Sequence, residues 1–351
     1  SGRLWFGNEF RVNSNQTFNH SFKEVKVSLP GIFTHRFAGR AIGVTSSLNI
    51  TVNGQNSLLH NFSKVSGDYD ETHSILKAKS DSFTLTGNTV EILYSYNNNG
   101  GEGNGWIDYY TLEVPVKLGL YGAQKIARSK EAVDFDIVTY QFDMNNSEYN
   151  VWDVTNFFDV SKQQLYSNQE GRACIIPTYN SPVIFVLFKD GQEILAEFVE
   201  NVENQNLHVA KDYDFVIISH PEFLAESNRL AEFHQQEYEQ KVFVVNSIEI
   251  YNEFSAGKLD PTAIRDFIRM IYRRGQKSGN SLQHVLLMGD GSYDFKNKLA
   301  NNTNYIPTFQ SRNSTNPTYS YSSDDYYAIL DDSEGYYDEA LKVEGLDIGI
   351  G

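Results

Sequence analysis

Apolar and polar residues alternate along much of the first 205 residues, which is the period of a half-buried β-strand. Ser47–Val52 (SLNITV) follows this pattern, and the pair Asn53-Gly54 directly after it is typical of a type I′ hairpin turn. Lys23–Leu29 is predicted as a strand on the same grounds, and Glu193–Phe198 is predicted as a strand because the tight turn Lys189–Gln192 joins it to the apolar run before it. About a dozen short strands with little helix predict a β-sandwich or jelly roll over residues 1–205, built as one or two subdomains.

The pattern changes near residue 206, where continuous apolar runs replace the alternation. Phe215–Ser219 (FVIIS) and Val285–Met288 are apolar enough to be strands buried on both faces. Between them, Asp260 and Pro261 are predicted to be the N-cap and first residue of a helix, whose apolar positions recur at the helical period. Because strands and helices alternate, residues 206–351 are predicted to form a parallel-sheet α/β domain. The fold class is therefore multidomain, β followed by α/β.

The acidic composition argues against partners that carry negative charge. Asp and Glu number 45 against 29 Lys and Arg, which gives a net charge of −16. Nucleic acids and anionic membrane surfaces are both bound through basic patches, so we expect no nucleic-acid partner. In this sequence no stretch approaches the roughly 18–20 apolar residues of a membrane span, so we expect no transmembrane segment in it.

Residues with catalytic potential are few. Cys174 is the only cysteine of the sequence, and it precedes the apolar run Pro182–Phe188, where a small buried side chain is favoured over a nucleophile. His220 and His284 flank predicted α/β strands but have no cysteine in the same domain. The Gly289–Ser292 turn (GDGS) matches neither the serine-hydrolase nor the dinucleotide-binding motif. We therefore assign no catalytic and no cofactor-binding residue within the chain.

An acidic segment close to Gly351 offers oxygen ligands for a metal ion. The candidates are Asp290, Asp324, Asp325, Asp331, Asp332 and Glu334. Carboxylates at close spacing suit Ca²⁺, which takes about six to eight oxygen ligands, although the spacing is not that of an EF-hand. Two interpretations stay open, a structural calcium site and a solvated acidic loop. No cofactor is required by either.

Several long segments resemble the gingipain-like cysteine peptidase family, and in particular its members in the bacterial type IX secretion system. In the α/β region they are IYNEFSAGKLDPTAIRDFIRMIY from Ile250, HVLLMGDGSYDFKN from His284 and SDDYYAILDDSEG from Ser323. In the β-rich region WFGNEF, GWIDYYTLEV and YNVWDVTN fit the same family, so the resemblance covers nearly the whole chain.

This resemblance implies a caspase-like peptidase domain with a Cys/His pair, in which a histidine polarises the attacking thiol. In family members the pair follows the strand that corresponds to LDIGIG, so we expect both residues downstream of Gly351. Residues 206–351 are then the first, non-catalytic half of the peptidase domain, and this fragment is expected to be inactive. Family members of the gingipain type also carry structural calcium.

The resemblance further implies a sortase-like activity at the outer-membrane surface. Such an enzyme removes the C-terminal targeting domain of secreted cargo and supports attachment of the cargo to lipopolysaccharide. Its expected partners are cargo C-terminal domains and a PorV-like outer-membrane barrel. Two alternatives remain: a non-enzymatic surface binding or adhesin module, and a peptidase homologue without the Cys/His pair that serves secretion or gliding.

Overall fold

The computed structural model describes residues 2–11, 14–129, 131–143, 148–169, 171–177, 181–331 and 345–351. These residues form a first β-sandwich, a second smaller β-sandwich and an α/β region, in that order. The predicted fold class, β followed by parallel-sheet α/β, is confirmed. Among the described helices, none is both long and apolar enough to cross a membrane.

The first sandwich consists of two four-stranded antiparallel sheets. Its strands are β1 (Glu9–Phe10), β2 (Ser14–Ser21), β3 (Gly31–Gly39), β4 (Ser46–Val52), β5 (Gln55–Phe62), β6 (Ile75–Phe83), β7 (Thr89–Asn97) and β8 (Gly105–Glu113). The sheet orders are β1-β8-β3-β6 and β2-β7-β4-β5. Every second residue of β4 is buried, as the alternation predicts. Asn53 and Gly54 both have positive φ, +51° and +73°, which a type I′ turn requires.

The second sandwich has its own core, separate from that of the first. Its strands are β9 (Gln124–Ser129), β10 (Ile137–Phe142), β11 (Asn150–Asp153), β12 (Ser161–Lys162), β13 (Tyr166–Asn168), β14 (Gly171–Pro177) and β15 (Val183–Phe188). They form the sheets β12-β11-β15-β9 and β10-β14-β13. Phe142, Phe185 and Leu187 are fully buried where the two sheets face each other.

Two predicted strands are wrong. Glu193–Phe198 forms no strand, because the strand before it, β15, is already paired with β11 on one side and β9 on the other. Lys23–Leu29 is not a continuous strand: Glu24 has a φ of +53°, Val25 forms an isolated bridge, and the Leu29 amide donates to the Lys26 carbonyl in a turn. There the chain crosses from β2 in one sheet to β3 in the other, which a continuous strand could not do.

The α/β region has the predicted order of strands and helices. Its elements are β16 (Phe215–Ser219), α1 (Leu224–Tyr238), β17 (Val242–Asn246), α2 (Ser247–Phe254), α3 (Pro261–Ser278), β18 (His284–Met288), β19 (Phe309–Gln310), β20 (Ser322–Ser323) and β21 (Gly349–Ile350). β17-β16-β18-β21 form a parallel sheet. Asp260 caps α3 by accepting from the Thr262 amide at 2.8 Å. Helices α2 and α3 pack on one face of the sheet and α1 on the other.

The start of the chain joins the first sandwich to the α/β region. The Arg3 amide donates to the Ser311 carbonyl at 2.9 Å, and the Trp5 ring stacks on Tyr293 at 6.2 Å. From the sandwich side, the His73 amide donates to the Thr315 carbonyl at 2.7 Å. The first sandwich therefore lies against the loops that follow β18.

Candidate functional site at the carboxyl edge of the parallel sheet

Ligands and catalytic groups of open α/β sheets gather outside the carboxyl ends of the strands. In this chain that edge is formed by the residues after β16 and β18, which are neighbouring parallel strands. The His220 amide donates to the Met288 carbonyl at 3.1 Å, so the ends of the two strands are held together. His220 and the Gly289–Ser292 turn are thereby brought to one place.

His220 lies at the head of the helical segment that leads into α1. Its Nδ1 accepts from the Glu222 amide at 3.4 Å, which caps the 3₁₀ turn Pro221–Phe223. Its ring lies 4.7 Å from the ring of Tyr305, and Phe223 contacts the same tyrosine at 5.1 Å. These contacts give His220 a capping and packing role at the edge of the sheet.

The turn after β18 comes very close to the loop that returns to it. The Tyr305 and Ile306 amides both donate to the Asp290 carbonyl, at 2.9 and 3.3 Å. Gly289 has a φ of +148°, and a Cβ at this position would lie 2.9 Å from the Tyr305 Cβ. Only glycine fits such a conformation and such a contact. The Asp290 backbone thus holds the loop, while Asp290 itself is exposed.

Ser292 is engaged within the same turn. Its hydroxyl donates to Asn302 Oδ1 at 2.5 Å and accepts from the Asp294 amide at 3.0 Å. Its own amide donates to Asn304 Oδ1 at 2.9 Å. Asp294 is buried and accepts from the Leu299 amide at 2.6 Å. These bonds stabilise the loop, in agreement with a structural role for Ser292.

The acidic candidates are distributed over separate elements. Asp324 and Asp325 lie together at the start of a 3₁₀ turn, where the Asp324 carbonyl accepts from the Tyr327 amide at 3.0 Å. Partial burial raises the pKa of Asp324, as does the neighbouring Asp325 charge, whereas a hydrogen bond from Thr308 lowers it. Asp331 is an exposed residue beyond that turn.

The other two candidates, Asp332 and Glu334, lie outside the described residues. Within the ranges that the structure describes, no three His, Cys, Asp or Glu side chains converge in a way that could hold a metal ion. Of the three acidic candidates that the structure describes in this segment, Asp324 and Asp325 are neighbours, and two carboxylates are fewer than the oxygen ligands that Ca²⁺ needs.

Cys174 lies in the core of the second sandwich, opposite Tyr140 on the neighbouring strand β10. Burial raises the pKa of the Cys174 thiol to about 12, with a smaller contribution from the Asp153 charge. The thiolate is the nucleophilic form of cysteine, so a thiol with this pKa is inert at neutral pH. Cys174 is a core residue, as its sequence context suggests.

A buried histidine pair in the first sandwich was missed by the sequence analysis. Nε2 of His35 on β3 and Nε2 of His60 on β5 lie 2.9 Å apart, and His35 is fully buried. The pKa of His35 is lowered to about 3, mainly by burial and to a smaller extent by the nearby His60 and Lys79. The strand pattern does contain a signal, since His35 occupies one of the alternate buried positions of β3. Its partner on another sheet could not be inferred.

Comparison with known proteins agrees with this architecture. Residues 208–351 match the sequence model of peptidase family C25. The whole chain superposes on the crystal structure of dimeric latent PorU from Porphyromonas gingivalis, with a TM-score of 0.80, 22% sequence identity, and 100% of this chain and 34% of that chain covered. The chain thus spans about a third of the length of that PorU chain. A search of curated proteins found no match.

Two further solved structures show little likeness. An insecticidal delta-endotoxin from Bacillus thuringiensis has a TM-score of 0.24 and 16% identity over 30% of this chain and 19% of its own. The sugar-binding C-terminal domain of EclA has a TM-score of 0.23 and 15% identity over 32% of this chain and 79% of its own. Neither bears on the function of this chain. The chain is therefore similar to PorU in fold, and its α/β region matches the sequence model of peptidase family C25.

Proposed function

We propose that this chain is the N-terminal, non-catalytic part of a PorU-like sortase of a type IX secretion system. The whole enzyme would be a cysteine endopeptidase that removes the C-terminal targeting domain of secreted cargo and supports attachment of the cargo to lipopolysaccharide. Its partners would be cargo C-terminal domains and a PorV-like barrel at the outer-membrane surface. The match of residues 208–351 to peptidase family C25 is the observation that carries the proposal.

This part would form the parallel sheet whose carboxyl edge positions a catalytic Cys/His pair. β16 and β18 form the middle of the parallel sheet, and their carboxyl ends carry His220 and the Gly289–Ser292 turn. Neither holds a thiol, and Cys174 is buried in a different domain. In this proposal the nucleophilic cysteine and its histidine lie outside these 351 residues.

The chain alone is expected to show no peptidase activity. The measurement is release of the C-terminal targeting domain from purified cargo, with the chain and its Cys174→Ser variant compared side by side. Both should match the rate without protein, because the one thiol present is buried and protonated. Turnover by the chain that disappears in Cys174→Ser would contradict the proposal.

A structural calcium ion in the acidic segment is proposed as a second property of the same domain. Asp324 and Asp325 would supply two ligands, with others from the segment that contains Asp332 and Glu334. We expect calorimetry to detect Ca²⁺ binding that is lost in the double variant Asp324→Asn/Asp325→Asn and kept in Asp266→Asn, a control on α3. Absence of binding heat, together with a melting temperature unchanged by EDTA, would refute the site.

A further inference from the structure

Residues 192–206 connect the second sandwich to the α/β region and expose large apolar side chains. These side chains are Ile194, Leu195, Phe198, Val199 and Val202, with exposed fractions between 63% for Val202 and 84% for Leu195 and Val199. The segment contains neither helix nor strand. Clusters of exposed apolar residues of this kind normally mark a surface that another surface covers.

The spacing of the five apolar residues is that of one face of an α-helix. They occupy positions i, i+1, i+4, i+5 and i+8, which fall within an arc of about 140° at 3.6 residues per turn. The four acidic residues Glu193, Glu197, Glu200 and Glu203 fall on the remaining arc. The segment therefore encodes an amphipathic helix, which becomes stable when its apolar face is packed.

The sheet that precedes this segment has an apolar cluster on its outer face, beside the polar Gln124 and Asn150 that lie opposite Phe188. Ile126, Val186 and Trp152 lie directly opposite one another on β9, β15 and β11. Ile184 and Phe188 share that face, because side chains alternate along β15 and the residues between them are buried in the core. An antiparallel sheet that faces water on one side normally carries polar residues there. The apolar cluster on this face is instead typical of a surface against which another part of a protein packs.

The segment and the sheet face match in position, length and charge. The turn from Lys189 to Gln192 leads straight from β15 into the segment, with the Gln192 amide donating to the Lys189 carbonyl at 3.1 Å. A helix of about twelve residues is about 18 Å long, close to the roughly 20 Å of a six-residue strand such as β15. Arg128 and Lys162 flank the apolar rows of the sheet, opposite in sign to the glutamates of the segment.

We propose that residues 193–204 fold into an amphipathic helix that docks with its apolar face on the outer face of the sheet β12-β11-β15-β9 of the same chain. The arrangement in this structure is the undocked one. The far end of the segment is fixed to α2, since Gln205 Nε2 and the Leu207 amide both donate to Glu253 Oε1, at 3.0 and 2.6 Å. Twelve residues span up to about 40 Å extended but about 18 Å as a helix. Docking therefore draws the second sandwich towards the α/β region.

Hydrogen-exchange mass spectrometry on the whole chain tests this docking. We expect the amides of residues 193–204 to exchange on the order of tenfold or more slowly than unstructured amides. Phe198→Glu in the segment and Val186→Glu on the sheet should each remove this protection. Ala196→Glu, which adds the same charge on the polar arc, should retain it. Unchanged protection of β10 and β14 verifies that each variant is folded.

Two results would overturn the proposal. One is exchange of residues 193–204 at the unstructured rate in the unmodified chain and in every variant. The other is protection that rises with protein concentration, because the helix would then dock on a second copy of the chain. The inference does not depend on the proposed peptidase function, since it concerns a connection and a sheet outside the α/β region.

Discussion

Acidification from pH 7 to pH 4 is expected to destabilise the first sandwich by about 3 kcal/mol through His35 alone. His35 is fully buried, stacks on Phe33 at 5.5 Å and faces His60 across the core. Lys79 on the neighbouring strand adds positive charge to its surroundings. Protonation of His35, which would place a positive charge in the core close to that of Lys79, is therefore strongly disfavoured in the folded state.

The direction of the effect follows from the two pKa values of His35, about 3 when folded and 6.5 when unfolded. Between these values the unfolded chain binds more protons than the folded chain, so stability rises with pH. Above pH 6.5 His35 costs the folded state almost no stability. As the pH falls from 6.5 towards 3, protonation of His35 in the unfolded chain progressively lowers the free energy of unfolding. His60, whose pKa is also lowered by burial, acts in the same direction.

The measurement is urea denaturation at pH 7 and pH 4, with unfolding of the sandwich followed by hydrogen exchange of β3 and β4. His35→Phe should reduce the difference between the two pH values by most of the expected 3 kcal/mol. His284→Gln, at an exposed position of β18, should leave it unchanged. An equal loss of stability in the unmodified chain and in His35→Phe would show that the pair does not control the acid sensitivity.

Replacing Phe267 by alanine is expected to destabilise the α/β region by about 3–5 kcal/mol. Phe267 is fully buried on α3, with its ring 5.7 Å from Phe254 on α2 and 6.4 Å from Phe243 on β17. It thus joins both helices to one face of the parallel sheet. Its removal leaves a cavity in the core that positions the carboxyl ends of β16 and β18.

Native-state hydrogen exchange of β16 and β18 measures this loss, because these central strands exchange through unfolding of the whole region. The matched control is Asp266→Ala, one residue earlier on the exposed side of α3, which should change stability by less than about 0.5 kcal/mol. A Phe267→Ala chain as stable as this control would mean that α3 is not integral to the fold.

The α/β region was predictable because its signals are local. The Asp260 cap, the proline after it and the apolar runs of β16 and β18 each specify their own conformation within a few residues. No local sequence signal indicates which distant segments pair with each other. Glu193–Phe198 was predicted as a strand, but whether a strand can form there depends on whether an edge of β15 is free, and both edges are paired.

The sequence predicted where the candidate site lies, but it did not predict which side chains are in contact there. The Gly289–Ser292 turn was expected at a strand end, and it lies there. The contact between His220 and Tyr305 depends on the path of the loop after that turn, which no local pattern determines. The buried pair of His35 and His60 likewise joins strands of different sheets. The calcium site stays a prediction.

The central claim is the proposed cysteine peptidase activity, and the position of the cysteine on which that activity depends tests it most directly. The protein isolated from its natural source is assayed for the proposed cleavage of cargo during treatment with iodoacetamide, and the cysteine whose alkylation accompanies loss of cleavage is identified by mass spectrometry. We predict that this cysteine is not Cys174 and lies outside these 351 residues, because the Cys174 thiol is buried and protonated. Loss of activity that coincides with alkylation of Cys174 would contradict the account.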